Sequence, residues 1–505
     1  MISMERVHIE LQRVQNWLFS VPRLRAMIGA NTQLGEFLRI ELPKLARKGE
    51  SWSLASAAGY PPADSADPLV EHDNPARDAS DGILSRDGGH FEAIFSWGAD
   101  VFARRAAEAL NRQLRGLQFG IWVNDREFGK TAPELSLELP VLMPCEWTGR
   151  GLASRTVHQG DETAEVTLEV AARHEAARRA EEYRAEDLAS LLRAKTKLKT
   201  LGNPEDFDSL SGGGYLAVIH ADGNAVGVSQ PTEGPRHAAF HHRNRVLLRR
   251  ALQVAIDRTC EGAGAAPLVP LMLGGDDLLV VARANVALRF VVDLCMELER
   301  LQENRGAEFH LTLGVGVVFA KPTVPFHRLH EVAENLAASA KRRFRGFTQN
   351  VWTSVVDWAV YTTAWVDDPA DMRRRDWLRG AGENVRVLSS RPMPVLGGGL
   401  STLEGLVEAA GKLSSAPRSQ LRYLVQQLPR GRALSELAFN ELSKVALGAL
   451  NQAGITSVWN NQPPASTSVL DLVEVFEINN LGRASGKQVG TRGNTAEYQM
   501  EKGHA

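Results

Sequence analysis

Cysteine is almost missing from this chain: Cys145, Cys260 and Cys295 are the only three among 505 residues, and no two form a C-x-x-C pair. That scarcity argues against a disulfide framework or structural zinc and fits a reducing cytosol. Long apolar runs are missing too, and nothing approaches the length needed to span a bilayer. The first residues reach Glu5 and Arg6 at once, so no signal-peptide core is expected. Nor is there a charge excess: a net charge of −2 gives no whole-chain signal for nucleic acid or membrane. What remains is ordinary globular composition, 44% hydrophobic and 23% charged. At about 150 residues per domain, the length suggests three domains. The expectation is a soluble cytoplasmic protein without a membrane role.

The chemistry concentrates in one stretch. Leu271-Met272-Leu273 and Leu278-Leu279-Val280-Val281 flank Gly274-Gly275-Asp276-Asp277, which reads as a β-hairpin with two carboxylates at its tip. Glycines permit the tight turn and leave room for something to approach. Adjacent acids repel one another, so an apolar hairpin ending in them points to a bound cation rather than a solvated turn. Upstream, Tyr215–Ala221 reads as a strand running into Asp222-Gly223-Asn224, so Asp222 stands at a strand end where it could meet the hairpin. One acid on a first strand and two on a following hairpin is the metal-holding arrangement of palm-type nucleotidyl transferases. An all-oxygen set of this kind suits Mg²⁺.

The patterning around these motifs predicts an α+β chain with two ferredoxin-like units. In the central one, a strand at 215–221 is followed by a helix near 238–258, hairpin strands at 268–273 and 278–283, a helix at 285–304 and a strand at 309–318. That β-α-β-β-α-β order is the split βαβ topology of a palm. Residues 1–150 repeat it in degenerate form: Val7, Ile9 and Leu11 alternate in a first strand, a helical stretch runs from about 23 to 48 with breaks near Gly35 and Pro43, and Gly88-Gly89-His90-Phe91 takes the place of Gly-Gly-Asp-Asp. This copy lacks the acids, and its first strand leads to Gln12. It cannot hold the same metals and would act as a partner wall or second nucleotide pocket. Segment 49–80 reads as a long surface loop. Residues 151–210 read as a connection, with Glu162–Lys199 a charged surface helix. The catalytic palm is placed at 211–390, a C-terminal helical domain at 400–480, and a mobile tail at 481–505. The helix Phe326–Arg345 ends in basic residues; Lys341, and to a lesser degree Arg345, are placed to reach a triphosphate, against the plainer reading of cations at a helix C-terminus.

Asp222-Gly223-Asn224, the Gly274–Asp277 hairpin and the helix ending Ala340-Lys341 together resemble the large palm subunit of type III CRISPR effector complexes, the Cas-ten family. The likeness covers nearly the whole chain: two ferredoxin-like palms, a linking domain and a helical C-terminal domain. It implies an enzyme that joins ATP 3′ to 5′ and closes it into cyclic oligoadenylate, a second messenger in antiviral defence. By that resemblance Asp222, Asp276 and Asp277 would carry two Mg²⁺ (or Mn²⁺) ions. Gly223, Gly274 and Gly275 would allow a nucleotide to approach, Asn224 would orient a hydroxyl or ribose, and Lys341 and Arg345 would hold the phosphates. Partners implied are other CRISPR effector subunits with guide and target RNA, although the chain could also work alone or as a homo-oligomer. Two departures stand out. No HD nuclease is expected, since His72-Asp73 is a lone dipeptide, and the family's C-x-x-C-G zinc half-site appears here as Cys145-Glu146-Trp147-Thr148-Gly149. Diguanylate cyclases share the hairpin logic but carry Glu where this chain has Asp277. The competing readings are a catalytically silent RNA–protein scaffold subunit, a diguanylate-cyclase-like enzyme and a templated palm polymerase.

Overall fold

Apolar residues at every second position make β1 (Glu5–Gln12): Val7, Ile9 and Leu11 are buried while Arg6, His8 and Glu10 point to the other face. The computed structural model describes residues 4–60, 65–70, 73–130, 143–159, 162–232, 234–303, 309–347, 351–361, 371, 373, 375, 377–380, 385–460 and 464–481. In chain order β1 is followed by α1 (Leu24–Glu36), β2 (Ile83–Ser85), β3 (His90–Trp97), α2 (Ala99–Gln113) and β4 (Gln118–Val123). The strands lie in the order β2-β3-β1-β4, all antiparallel, with short edge strands at Ser53–Leu54 and Arg126–Lys130. The expected break in the first helical stretch is a π-helical turn over Phe37–Glu41, after which Leu42–Arg47 resumes as α-helix with Pro43 in its tolerant first turn. Phe91, Ala93 and Phe95 of β3 pack with Phe102, Ala106 and Leu110 of α2 to close the sheet's inner face.

Residues 151–210 are more than a connection. Arg155–Gln159 and Glu162–Val166 form a hairpin, and only then does α3 (Leu168–Glu181) begin, capped by the Thr167 hydroxyl on Val170 N–H. The expected single charged helix is therefore a strand and several short helices. Its face is not solvated either: α3 crosses α1 so closely that a Cβ on Gly29 would stand 1.7 Å from the carbonyl oxygen of Arg173. Gly29 on α1 and the small alanines of α3 permit this approach.

The central unit repeats the first: β5 (Leu216–Gly223), α4 (Pro235–Thr259), β6 (Leu268–Gly274), β7 (Asp277–Arg283), α5 (Ala284–Arg300) and β8 (Leu313–Ala320). The order β6-β7-β5-β8 matches that of the first sheet, so both units are ferredoxin-like and the fold class is the α+β one expected. Beyond β8 the sheet gains β9 (Val355–Val360), paired in parallel, and a short strand at Met393–Pro394. Ala217, Ile219 and Ala221 face α4 and α5, and the same core takes in the five C-terminal helices Leu403–Lys412, Arg418–Gln427, Arg432–Asn440, Lys444–Gln452 and Val469–Asn480. Leu216 and Val218 face the other way, toward α6 (Phe326–Arg345) and the N-terminal unit, whose core is continuous with this face.

Segment 49–80 is also less of a surface loop than expected. Asp67 is buried, accepts from the amides of Leu69 and Val70, and pairs with the buried Arg249 of α4. Asp73 is buried against Arg86, while its neighbour His72 lies outside the described residues. Among the described residues no helix is long and apolar enough to cross a membrane. The tail after 481 also lies outside them.

Candidate active site

Pairing of β5 with β7 puts Ala221 opposite Leu278, and the next step along both strands brings Asp222 to Asp277 at the sheet's end. Asp276 is one residue farther out on the turn. The Gly223 N–H donates to its carboxylate, and a Cβ on Gly223 would stand 2.5 Å from Asp276 Oδ2. Glycine at 223 is therefore required by space. The three acids predicted from sequence gather at one point, although Asp276 comes 54 positions after Asp222.

Their electrostatics are those of a site waiting for positive charge. Burial, then Asp222, Asp276 and Glu334, push the Asp277 carboxyl from its ordinary 3.8 up to about 8. Asp276 is raised as well, by burial and by Asp222. Asp277 Oδ1 is buried with no hydrogen-bond partner. One cation is supplied by the protein: Lys341 Nζ forms an ion pair with Asp222 Oδ2. Room for that lysine comes from Gly314, which lies opposite Asp222 in β8 and whose Cβ would stand 2.6 Å from Lys341 Cγ. Arg345 is exposed in the last turn of α6, one helical turn beyond Lys341 on the same face. Oxygen ligands, an unpartnered buried carboxylate oxygen and mutual repulsion fit hard divalent cations such as Mg²⁺.

Asn224 sits differently from the expectation. It is fully buried, its amide nitrogen donates to Thr312 Oγ1 at 3.1 Å, and its backbone N–H donates to the Thr312 carbonyl. This arrangement anchors the end of β5.

A cavity of about 420 Å³ opens beside the acids, within the usual range for small-ligand sites. Gly274, Gly275, Asp276 and Asp277 line one side; Gly88, Gly89, Asp87, Arg86 and Arg39 line the other. Asp222 and Lys341 do not line it. The two Gly-Gly turns meet directly, for a Cβ on Gly274 would be 3.8 Å from Gly88 Cα. Gly88 and Gly89 both have positive φ, 65° and 81°, which only glycine adopts without strain. In the N-terminal copy Phe91 follows Gly-Gly at the spacing of Asp277, but it and its ladder partner Ile9 are fully buried on the helix-facing side of the sheet, and His90 closes the turn where Asp277 does in the central unit. By ladder position and sheet face the residue answering to Asp222 is Glu10 and not Gln12: Glu10 pairs with His90 and Gly120, as Asp222 faces Asp277 and Gly314. This copy keeps one carboxylate, Glu10, opposite His90, and lacks the paired acids of the central hairpin.

Sequence reasoning missed what fixes the cavity's other wall. Burial disfavours the charged form of Asp87, but Arg39, Arg245 and Arg249 outweigh it and hold the carboxyl well below the usual range. These arginines come from the turn after α1 and from α4, so a buried ion network locks the N-terminal Gly-Gly turn to the central unit. The sequence signal was faint: Arg245 and Arg249 are one turn apart on the face of α4 opposite its exposed positions. His220, two residues before Asp222 on the same strand face, was also missed; its Nε2 lies 3.5 Å from Asp277 Oδ1.

A ferredoxin-like sheet with one acid at the end of its first strand and two on the following hairpin defines a palm domain. Residues 215–346 match the family model described as Cas10/Cmr2, second palm domain, the family that the sequence motifs resemble. No curated protein matches the chain. Among solved structures it is similar to Csm1 in T.onnurineus, at 13% identity over 95% of this chain and 69% of that one, with a TM-score of 0.49. It is also similar to a Csm1–Csm4 cassette in complex with pppApApA (13% identity, 94% and 69% covered, TM-score 0.48) and to one in complex with AMPPNP (12%, 67% and 53%, TM-score 0.40). The chain spans about half the length of the last of these.

Proposed function

We propose that this protein is a Mg²⁺-dependent nucleotidyl transferase that converts ATP into cyclic oligoadenylate, a second messenger of type III CRISPR-like antiviral defence. The observation that carries the reading is the convergence of Asp222, Asp276 and Asp277 beside a cavity walled by two Gly-Gly turns. Asp222, Asp276 and Asp277 would hold two Mg²⁺ (or Mn²⁺) ions, which when bound supply the charge that makes a 3′-hydroxyl nucleophilic and steadies leaving pyrophosphate.

The chain's own residues do the rest. Gly274 and Gly275 leave the hairpin backbone bare, so a nucleotide in the cavity can lie against it. Lys341 neutralises Asp222 in the resting protein; when cations take over that duty, its ammonium turns to the triphosphate, with Arg345 extending the positive charge one turn along α6. Gly223 presents its N–H to Asp276 and fixes that carboxylate's orientation. Asn224 acts from below, by holding the strand end through Thr312. The N-terminal turn at Gly88-Gly89, whose one acid Asp87 is tied up by Arg39, Arg245 and Arg249, receives the second nucleotide without performing chemistry on it. Partners on this reading are other CRISPR effector subunits with guide and target RNA, in the cytoplasm.

The test is incubation of the purified chain with ATP and Mg²⁺, with and without candidate RNA, alongside Asp276→Ala and Asp277→Ala. Pyrophosphate release with a cyclic product, abolished in both variants, supports the proposal. Absence of pyrophosphate under every condition favours a scaffold, template-dictated primer extension a polymerase, and a cyclic dinucleotide from GTP a diguanylate-cyclase-like enzyme.

A further inference from the structure

Beneath the three acids, on the α6 side of the sheet, lies a second cluster of different chemistry. His220 comes from β5, and His330 and Glu334 from α6, where i,i+4 spacing puts both on one helix face. One ring nitrogen from each histidine and one carboxylate oxygen of Glu334 lie within 4.8 Å of one another. The histidines are only 6% and 4% exposed. Neither ring is satisfied: His220 Nδ1 and His330 Nε2 are buried with no hydrogen-bond partner. Two adjacent buried imidazoles with idle nitrogens are costly unless something else uses them.

We propose that His220, His330 and Glu334 form a transition-metal site, for a dication of the Zn²⁺, Co²⁺ or Mn²⁺ class, separate from the all-oxygen Mg²⁺ site. Two imidazoles and one carboxylate are the donor set such ions favour and Mg²⁺ does not. Metal–ligand distances of about 2.0–2.2 Å bring ligand atoms to roughly 3.5 Å from each other, so the observed cluster would close by up to about 1.3 Å on binding an ion. The surroundings resemble a supporting shell. Gln15, from the N-terminal unit, hydrogen-bonds Glu334, and Phe19 packs on the His330 ring with centroids 4.8 Å apart. An ion here would tie β5 to α6, the helix that carries Lys341, at the seam between the two palms. It would also stand beside Asp277, 3.5 Å from His220 Nε2. The site needs no nucleotide and stands whether or not the chain makes cyclic oligoadenylate.

The experiment uses the full chain, stripped with a chelator and titrated with Co²⁺ in excess Mg²⁺, following the visible d–d absorption, metal content per chain and thermal midpoint. The expected result is one Co²⁺ per chain with a visible band and a raised midpoint, unchanged in Asp222→Asn. Glu334→Gln, a half-exposed position that should fold normally, and His330→Phe, which keeps the aromatic packing, should each weaken binding by at least about tenfold. Three outcomes overturn the proposal: no band in folded protein; a band that survives both Glu334→Gln and His330→Phe; or a band lost in Asp222→Asn, which would assign the ion to the catalytic acids. In the first case the two histidines serve only as packed rings.

Discussion

Replacing Asp277 with Asn should make the metal-free protein more stable. The carboxyl sits at about 8 where its ordinary value is 3.8, because it is buried and faces Asp222 and Asp276. A group whose folded pKa is raised in this way subtracts stability as pH climbs from its unfolded pKa through its folded one, and the full penalty is present above both. Four pH units at 1.36 kcal/mol each would amount to about 6 kcal/mol for an unscreened group. The Asp277 side chain is 38% exposed, however, so water screens most of this, and about 1–2 kcal/mol remains. Asn keeps the shape and removes the charge. In chelator at pH 8.5, the thermal midpoint of Asp277→Asn should therefore exceed that of the parent by about 1–2 °C, with the gap closing as pH falls toward 4. Adding Mg²⁺ should reverse the order, stabilising the parent and leaving the variant nearly unmoved. Differential scanning fluorimetry across pH, with and without Mg²⁺, reads both effects. A variant less stable than the parent in chelator at high pH would show that Asp277 is held by favourable contacts, and the inference of a cation-seeking cluster would be wrong.

Three further outcomes follow from the packing around α6 and α4. Lys341→Met should leave the fold intact, because Gly314 accommodates the stem, but lower pyrophosphate release from ATP by about 10–100-fold; full activity would remove Lys341 from the site. Gly316→Ala should cost about 2–4 kcal/mol in denaturant unfolding, since its Cβ would stand 2.0 Å from the Ala333 carbonyl oxygen and drive α6 off the sheet, and a near-neutral result would contradict that packing. His241 is held neutral, at about 4, by burial and by His237 and Arg245. Its contribution is therefore fully present above 6.5 and lost as pH falls toward 4, and His241→Gln should flatten the acid limb of the stability profile over that window.

Alternation of apolar and polar residues, Gly-Gly turns and the placing of acids at strand ends are local properties, so the chain alone determined β5, the Gly274–Asp277 hairpin, the repeated β-α-β-β-α-β order and the three carboxylates. β5 is buried on both faces and shows no alternation, so it was the acid at its end and the Gly-Gly-Asp-Asp turn that let Asp222 be assigned to the hairpin from pattern alone. Other features depend on groups distant in sequence, and no local periodicity encodes them. Lys341 meets Asp222 across 119 residues, and Arg249 meets Asp67 across 182. Only tertiary packing set Gly88 against Gly274, turned the charge-rich α3 onto α1, and buried His220 beside His330 and Glu334. A charged side chain in a sequence reads as solvated by default, and burial with a partner becomes visible only when the partner's element has been docked.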